Sequence, residues 1–388
     1  MAAIAKFTGL RNDVSHERFR AGDMEEATNV YLDDSGRVSR RDGLTQVVAG
    51  SSHSLWSNGN LCLFGQGQTL LRLLPDGGTE SVNTGLSGQP LSYYQVMDSL
   101  YYSDSVVARK YANGLDSQWG MTPPGLVSVA STVGTLPAGR YGYTATFIDS
   151  DGLESGAVNF GVIELGANAG ITFTAPDTDY AYVAFYMTPT DGDMYYRVGF
   201  ATSGNTLTVT ELTGLINPLV GVNAGPAPAG QIVSHYRGHM LVANGQWLHY
   251  SYPYAYHLFD PLAYIPLEER ITIVAPVKDG VFIATTEQTY FVSGSNPGDF
   301  MLNRKVANYG AIEGSLVRAH TNDFPWLEGI EEQDLAIWAS SEGICVAGNS
   351  GLFINVTNSR YMFGAVTTKG ASIITQMGAT KQLITSIE

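Results

Sequence analysis

The chain has 388 residues, enough for two or three domains with sizeable cores. Its 44 glycines, 22 tyrosines and 15 phenylalanines, with only 15% charged residues, fit an all-β protein rich in tight turns. The formal net charge of −15 opposes affinity for DNA or anionic membranes, although not a surface that DNA slides past without sticking.

Residues 1–45 read as a polar, arginine-rich N-terminal arm ending in a hairpin. The opening MAAIAKFTGLRND lacks the apolar core of a secretory signal. No stretch approaches the roughly 20 apolar residues of a membrane-spanning helix. A short helix is expected near Gly22–Thr28. Asn29-Val30-Tyr31 and Val38-Ser39-Arg40 flank a turn at 32–38 and predict two paired strands. Arg37, Arg40 and Arg41 beside Asp33, Asp34 and Asp42 suggest local ion pairs, or an arm reaching to a neighbouring subunit.

Residues 46–122 open a repeat. A tight turn (Gly59, Asp98) precedes three or four apolar residues, a polar break and a further strand. The pattern returns at Gly238, Gly280 and Gly343, most clearly in ITIVAPVKDGVFIATTEQTYFV from Ile271 to Val292. Gly59 to Asp98 and Gly238 to Gly280 each span roughly 40 residues, the period of a four-stranded propeller blade. Such a sheet cannot bury both faces alone, so the copies must stack. Five or six blades are expected, some incomplete.

Trp119-Gly120-Met121-Thr122-Pro123-Pro124-Gly125 marks a border, because paired prolines stop a strand. Residues 123–225 have another grammar: period-two alternation over Gly139–Ile148 and about seven strands, the pattern of a small β-sandwich. The order G-x-Y-x-Y-x-x-T-F, then strand-turn-strand with Tyr195-Tyr196-Arg197-Val198, resembles a fibronectin type III or Ig-like module. The Cys…Trp…Cys pattern of antibody domains is absent. The stiff segment Gly225–Gly230 leads back into blade pattern over 226–388, so the sandwich reads as an insertion in the propeller.

Two segments of that second part are candidate channel or interface loops. Ser251–Pro261 is an aromatic stretch with two prolines. Its Tyr252, Tyr254, Tyr256 and Phe259 suit either packing between blades or docking of a neighbour. Thr321–Asp334 interrupts the next blade and sets Glu328, Glu331 and Glu332 near Trp326, as a solvated loop or an acidic projection. The last strand candidates, Ala371–Ile374 and Gln382–Thr385, are expected to pair with early strands and close the propeller.

Signatures of chemistry are sparse. Cys62 and Cys345 each sit in an apolar strand pattern and read as buried free thiols from a reducing cytoplasm. His235, His239, His249 and His257 crowd one blade without zinc-ligand spacing. The Asp149–Gly152 and Asp191–Asp193 turns lack the distal glutamate of a calcium loop. No catalytic residue, metal ligand or cofactor is assigned.

The series Gly9-Leu10-Arg11-Asn12, Ala27-Thr28-Asn29-Val30, Gly36-Arg37-Val38 and Arg41-Asp42-Gly43 resembles the opening of the tail nozzle and tail stabilisation proteins of short-tailed bacteriophages. The motif spans about a tenth of the chain, ahead of a β-propeller in that family. The resemblance implies a non-enzymatic virion protein, made in the host cytoplasm and forming a ring of six copies at the tail end. Its partners would be the head-to-tail adaptor and other tail proteins, with viral DNA passing through without sequence-specific binding. A carbohydrate-binding or glycan-degrading propeller with an accessory sandwich is the alternative reading, and a generic adhesion protein a third.

Overall fold

The computed structural model describes residues 7–28, 30–33, 35–41, 43, 45–300, 304–324, 331–357, 360–363, 369–377 and 380–387. Among them there is no α-helix, and strands carry the fold. Among the described residues no helix is long and apolar enough to cross a membrane.

Five sheets are four-stranded, antiparallel and joined in simple up-and-down order. Blade I runs from His53 to Asn83, blade II from Ser92 to Gln118, blade III from Ile232 to Pro266, blade IV from Ile271 to Ala307 and blade V from Val317 to Asn355. This is the all-β, propeller-type build that the repeat predicts. Local chemistry explains the hairpins. Asn113–Gly114 and Arg237–Gly238 have positive φ at both central positions, as in type I′ turns, whose twist matches the flanking strands. In blade IV, Ile271–Val277 and Gly280–Thr285 are buried along their whole length. Both faces are covered, which is why those segments read as continuous apolar runs rather than as alternation.

The chain divides into two compact units. One holds residues 91–244 and 248–265; the other holds 1–90, 245–247 and 266–388.

In the first unit, blades II and III pack directly against each other although the inserted residues separate them in sequence. The Val233 N–H donates to Ser92 Oγ (2.8 Å), and the Gly230 N–H to Ser103 Oγ (2.8 Å). Tyr101, Trp119, Val233, Met240, Val242 and Phe259 form one shared core. Trp119 lies edge-on to Phe259, and its Nε1 donates to the Tyr256 carbonyl (2.7 Å). The chain leaves blade II at Trp119 and comes back beside it, with the Ala227 N–H donating to the Trp119 carbonyl (3.0 Å).

Between those points lie two further sheets. One pairs Ser128–Leu136, Ala169–Thr174 and Thr206–Val209. The other runs Gly161–Leu165, Gly139–Ile148, Tyr182–Met187, Tyr196–Ala201 in spatial order. Tyr141, Ile171, Phe173, Val183 and Phe185 fill a core contributed by both, as in a sandwich. The consecutive strands Ser128–Leu136 and Gly139–Ile148 fall in different sheets, whereas the first two strands of an Ig domain share one.

In the second unit, blades IV and V share a core around Phe282, Phe291, Trp338 and Cys345. Two expectations are corrected here. The last two strands, Gly370–Met377 and Thr380–Ile387, pair with each other over eight residues rather than with early strands. Their Ile374 and Leu383 lie against Ala319, Leu335 and Ile337 of blade V. A short-range hairpin has a smaller loop-closure entropy than a pairing with the distant N-terminus. Residues 22–28 form no helix; Asp23–Met24 pairs in parallel with Gly9–Leu10. The early part of the arm binds its own chain: Asn12 exchanges side-chain bonds with the Met362 backbone (2.7 and 2.9 Å), and its N–H donates to the Arg360 carbonyl (2.8 Å). The predicted hairpin Val30–Leu32 with Val38–Arg40 is present. Its turn is organised by Asp33 Oδ1, which accepts from Ser35 Oγ (2.6 Å) and the Arg37 N–H (2.8 Å). Asp34 and Asp42 lie outside the described residues.

Candidate functional site

Within the first unit, the insert and blades II and III enclose a cleft of about 650 Å³. Blade II contributes Tyr101 and Lys110, and the segment after it Trp119 and Gly120. The insert contributes two turns carrying Asp149, Asp151, Asp179 and Tyr180. Blade III contributes Tyr254, Tyr256 and His257.

Each wall has a local cause. Asp149 Oδ1 accepts the N–H groups of Asp151 (2.9 Å) and Leu153 (2.8 Å), an Asx turn that aims the loop. The predicted hairpin turn thus has its carboxylate engaged by backbone. Next to it, Glu154 accepts from Tyr186 Oη (2.6 Å) and from Thr146 Oγ1, while its carbonyl meets His257 Nε2 (2.9 Å). Burial, then the Glu154 carboxylate, pushes the Tyr186 phenol upward. Burial pushes the His257 imidazole down, so it is neutral at pH 7. At Gly120, with φ of 96°, an added Cβ would come within 2.5 Å of the His257 carbonyl, and only glycine lets the two segments meet.

The stretch read as an aromatic loop is a hairpin. Trp247–Tyr252 turns through Pro253–Tyr254 into Ala255–Pro266. Pro253 supplies the first turn position, and Pro261 is tolerated because its strand is the outermost of the blade. Tyr254 has φ of 58° and donates its N–H to the Gly238 carbonyl (2.7 Å); its ring lies over Gly238 yet is 79% exposed. Tyr256 is half-buried and edge-on to Tyr101 and His235. Tyr252 donates its hydroxyl to the Val222 carbonyl (3.1 Å), away from the cleft. Phe259 is only 3% exposed, so as an interface residue it is corrected: it belongs to the core beside Trp119.

Glu331 and Glu332 are exposed and belong to the other unit, between the first two strands of blade V. Glu332 accepts from Asn322 Nδ2 (2.8 Å). Trp326 and Glu328 lie outside the described residues. The four histidines share blade III without converging, and among the described residues no three His, Cys, Asp or Glu side chains group as a metal site. Both cysteines are free: Cys345 is buried and Cys62 half-buried.

Sequence reasoning reached Tyr254 and Tyr256 but missed Lys110, Asp179 and Tyr180. These come from separate segments that only the packing of insert on blades brings together.

No family model and no curated protein matches the chain. Among solved structures it is similar to the extracellular domain of a one-component system from B. thetaiotaomicron (12% identity, TM-score 0.31). That match covers 86% of this chain but 38% of the other, so the chain spans well under half of that domain. It is also similar to BBS1N in complex with ARL6DN (12% identity, 89% and 93% of the two chains, TM-score 0.34). A third is the WD40 domain of Neurospora crassa Pan2 (8% identity, 86% of each chain, TM-score 0.33). At these values the likeness extends to no activity, ligand or partner.

Proposed function

We propose that the chain is a structural protein of a short-tailed phage virion, a wall segment of a ring-shaped nozzle at the tail end. The observation that carries this reading is the direct packing of blades II and III across the insert. A module added without parting its flanking sheets leaves that pair of blades joined, and joined blades can pack around a symmetry axis. The net charge of −15 supports a channel wall past which DNA slides, since repulsion from phosphate replaces counterion-releasing contacts. The resemblance at Gly9–Asn12 and Gly36–Val38 adds the family, a ring of six copies, and an adaptor and other tail proteins as partners. Genome retention and release would follow from that position.

Electron microscopy and sedimentation of the purified chain, alone and with portal and adaptor proteins, test this. Rings sedimenting far above 41.7 kDa are expected. A chain that stays monomeric with and without those partners would overturn it.

A further inference from the structure

The cleft in the first unit has a chemistry that the wall role does not use. Its rings are held in place by neighbours. Tyr180 lies against Phe147 with centroids 4.9 Å apart, Tyr256 is edge-on to Tyr101 at 6.2 Å, and Tyr254 stands largely in solvent over the Gly238 turn. A large ring left exposed at the mouth of a concave site offers an apolar face to a ligand.

The polar groups narrow the ligand class. Among the described residues, Lys110, Asp151 and Asp179 take part in no ion pair. Three carboxylates against one ammonium leave the lining negative, with His257 neutral, which disfavours phosphates and nucleic acid. An unpaired ammonium in the same lining opposes a cationic ligand. What suits carboxylates that accept, an ammonium that donates and ring faces between them is an uncharged molecule of many hydroxyls and flat C–H surfaces.

We infer that the cleft bounded by Tyr254, Tyr256, Tyr180, Asp179 and Lys110 binds a neutral oligosaccharide. The tyrosine faces stack on sugar C–H surfaces, and Asp179, Asp151 and Lys110 hydrogen-bond the hydroxyls. No bond is made or broken. This site is independent of the ring assembly, so either can fail without the other.

The test is saturation-transfer NMR and titration calorimetry of the full chain. The probes are soluble trisaccharides of neutral hexose, 6-deoxyhexose and N-acetylhexosamine, with the corresponding neutral polysaccharides in parallel. Saturation of sugar protons is expected, with affinity about tenfold weaker in Tyr254→Ala and in Asp179→Asn. Both positions are exposed, so unchanged thermal unfolding separates lost binding from lost fold. Tyr182→Ala, exposed but outside the cleft, should bind as the parent does. Trimer binding without gain from the polymer marks a free sugar as ligand; stronger retention of the polymer marks a polysaccharide chain. No saccharide signal, binding undiminished in both cleft variants, or preference for tetramethylammonium or a lysine-rich peptide would each overturn the inference.

Discussion

Arg360 reaches Asp23 across 337 positions of sequence, with Nη2 2.8 Å from Oδ1. The same carboxylate accepts from the Arg20 N–H (3.0 Å), Thr8 Oγ1 (2.8 Å) and Arg11 Nη1 (3.2 Å), and its side chain is only 2% exposed. These donors hold its pKa down to about 2. One acid thus gathers both strands of the arm and the segment at 360–362.

Replacing Asp23 by alanine removes the acceptor from all four donors at once. Amide hydrogen exchange over residues 8–24 and 360–362 should speed up several-fold, while blades IV and V keep their protection. Unchanged protection in the arm would show that Asn12 alone holds it.

Acid should weaken the fold in two separate windows. Burial lowers the pKa of His235, His249 and His257 below the ordinary 6.5. Well above pH 6.5 neither state is charged and nothing is gained or lost. As pH falls below that value the unfolded chain binds protons that the folded chain refuses, and stability drops by at most about 1.4 kcal/mol per pH unit per histidine. Asp13, Asp23, Asp33 and Asp323 are shifted downward, so their contribution persists above about pH 3.8 and is lost as pH falls through their folded values. Urea unfolding from pH 8 to 5 should show the first window, and His257→Gln should make it shallower. A flat profile over that range would remove the histidines from the account.

Trp119 is the hinge of the join between blades II and III. Truncation to alanine should cost about 3–5 kcal/mol, as for large buried aromatics. Trp119→Phe keeps most of the apolar volume but strands the Tyr256 carbonyl, and should cost about 1–3 kcal/mol. Denaturant midpoints measure both, and a Trp119→Phe protein as stable as the parent would mean that the hydrogen bond contributes nothing.

The two thiols should react at different rates. Burial raises the Cys345 pKa to about 11, and the side chain is sealed in the core of blades IV and V. Native protein treated with iodoacetamide should be labelled at half-buried Cys62 first, with Cys345 reacting only after unfolding. Labelling at equal rates would show that this core opens readily.

Much of the fold was legible because it is local. The turns at Gly238 and Gly280 announce hairpins by themselves, and Val281–Ala284 needs no partner to read as a buried strand. The misreadings arise where tertiary contacts or edge position decide. Met24-Glu25-Glu26-Ala27 has helix-forming composition, but Asp23 is taken up by two arginines from elsewhere and Asp23–Met24 pairs as a strand instead. Pro261 looked like a loop residue because nothing in the sequence says that its strand is an edge. The cleft was illegible for the same reason: Lys110, Asp179 and Tyr254 become neighbours only once three separate pieces of backbone have packed.

The hydrogen bond from Ala227 to Trp119 has a consequence for the history of such chains. A passenger segment whose two ends stand side by side can be gained, lost or exchanged in a lineage without re-threading the sheets that carry it. Replacing residues 122–225 with a short glycine bridge should leave the rest folded, and descendants differing in that cassette alone would share a body while presenting different faces to their surroundings.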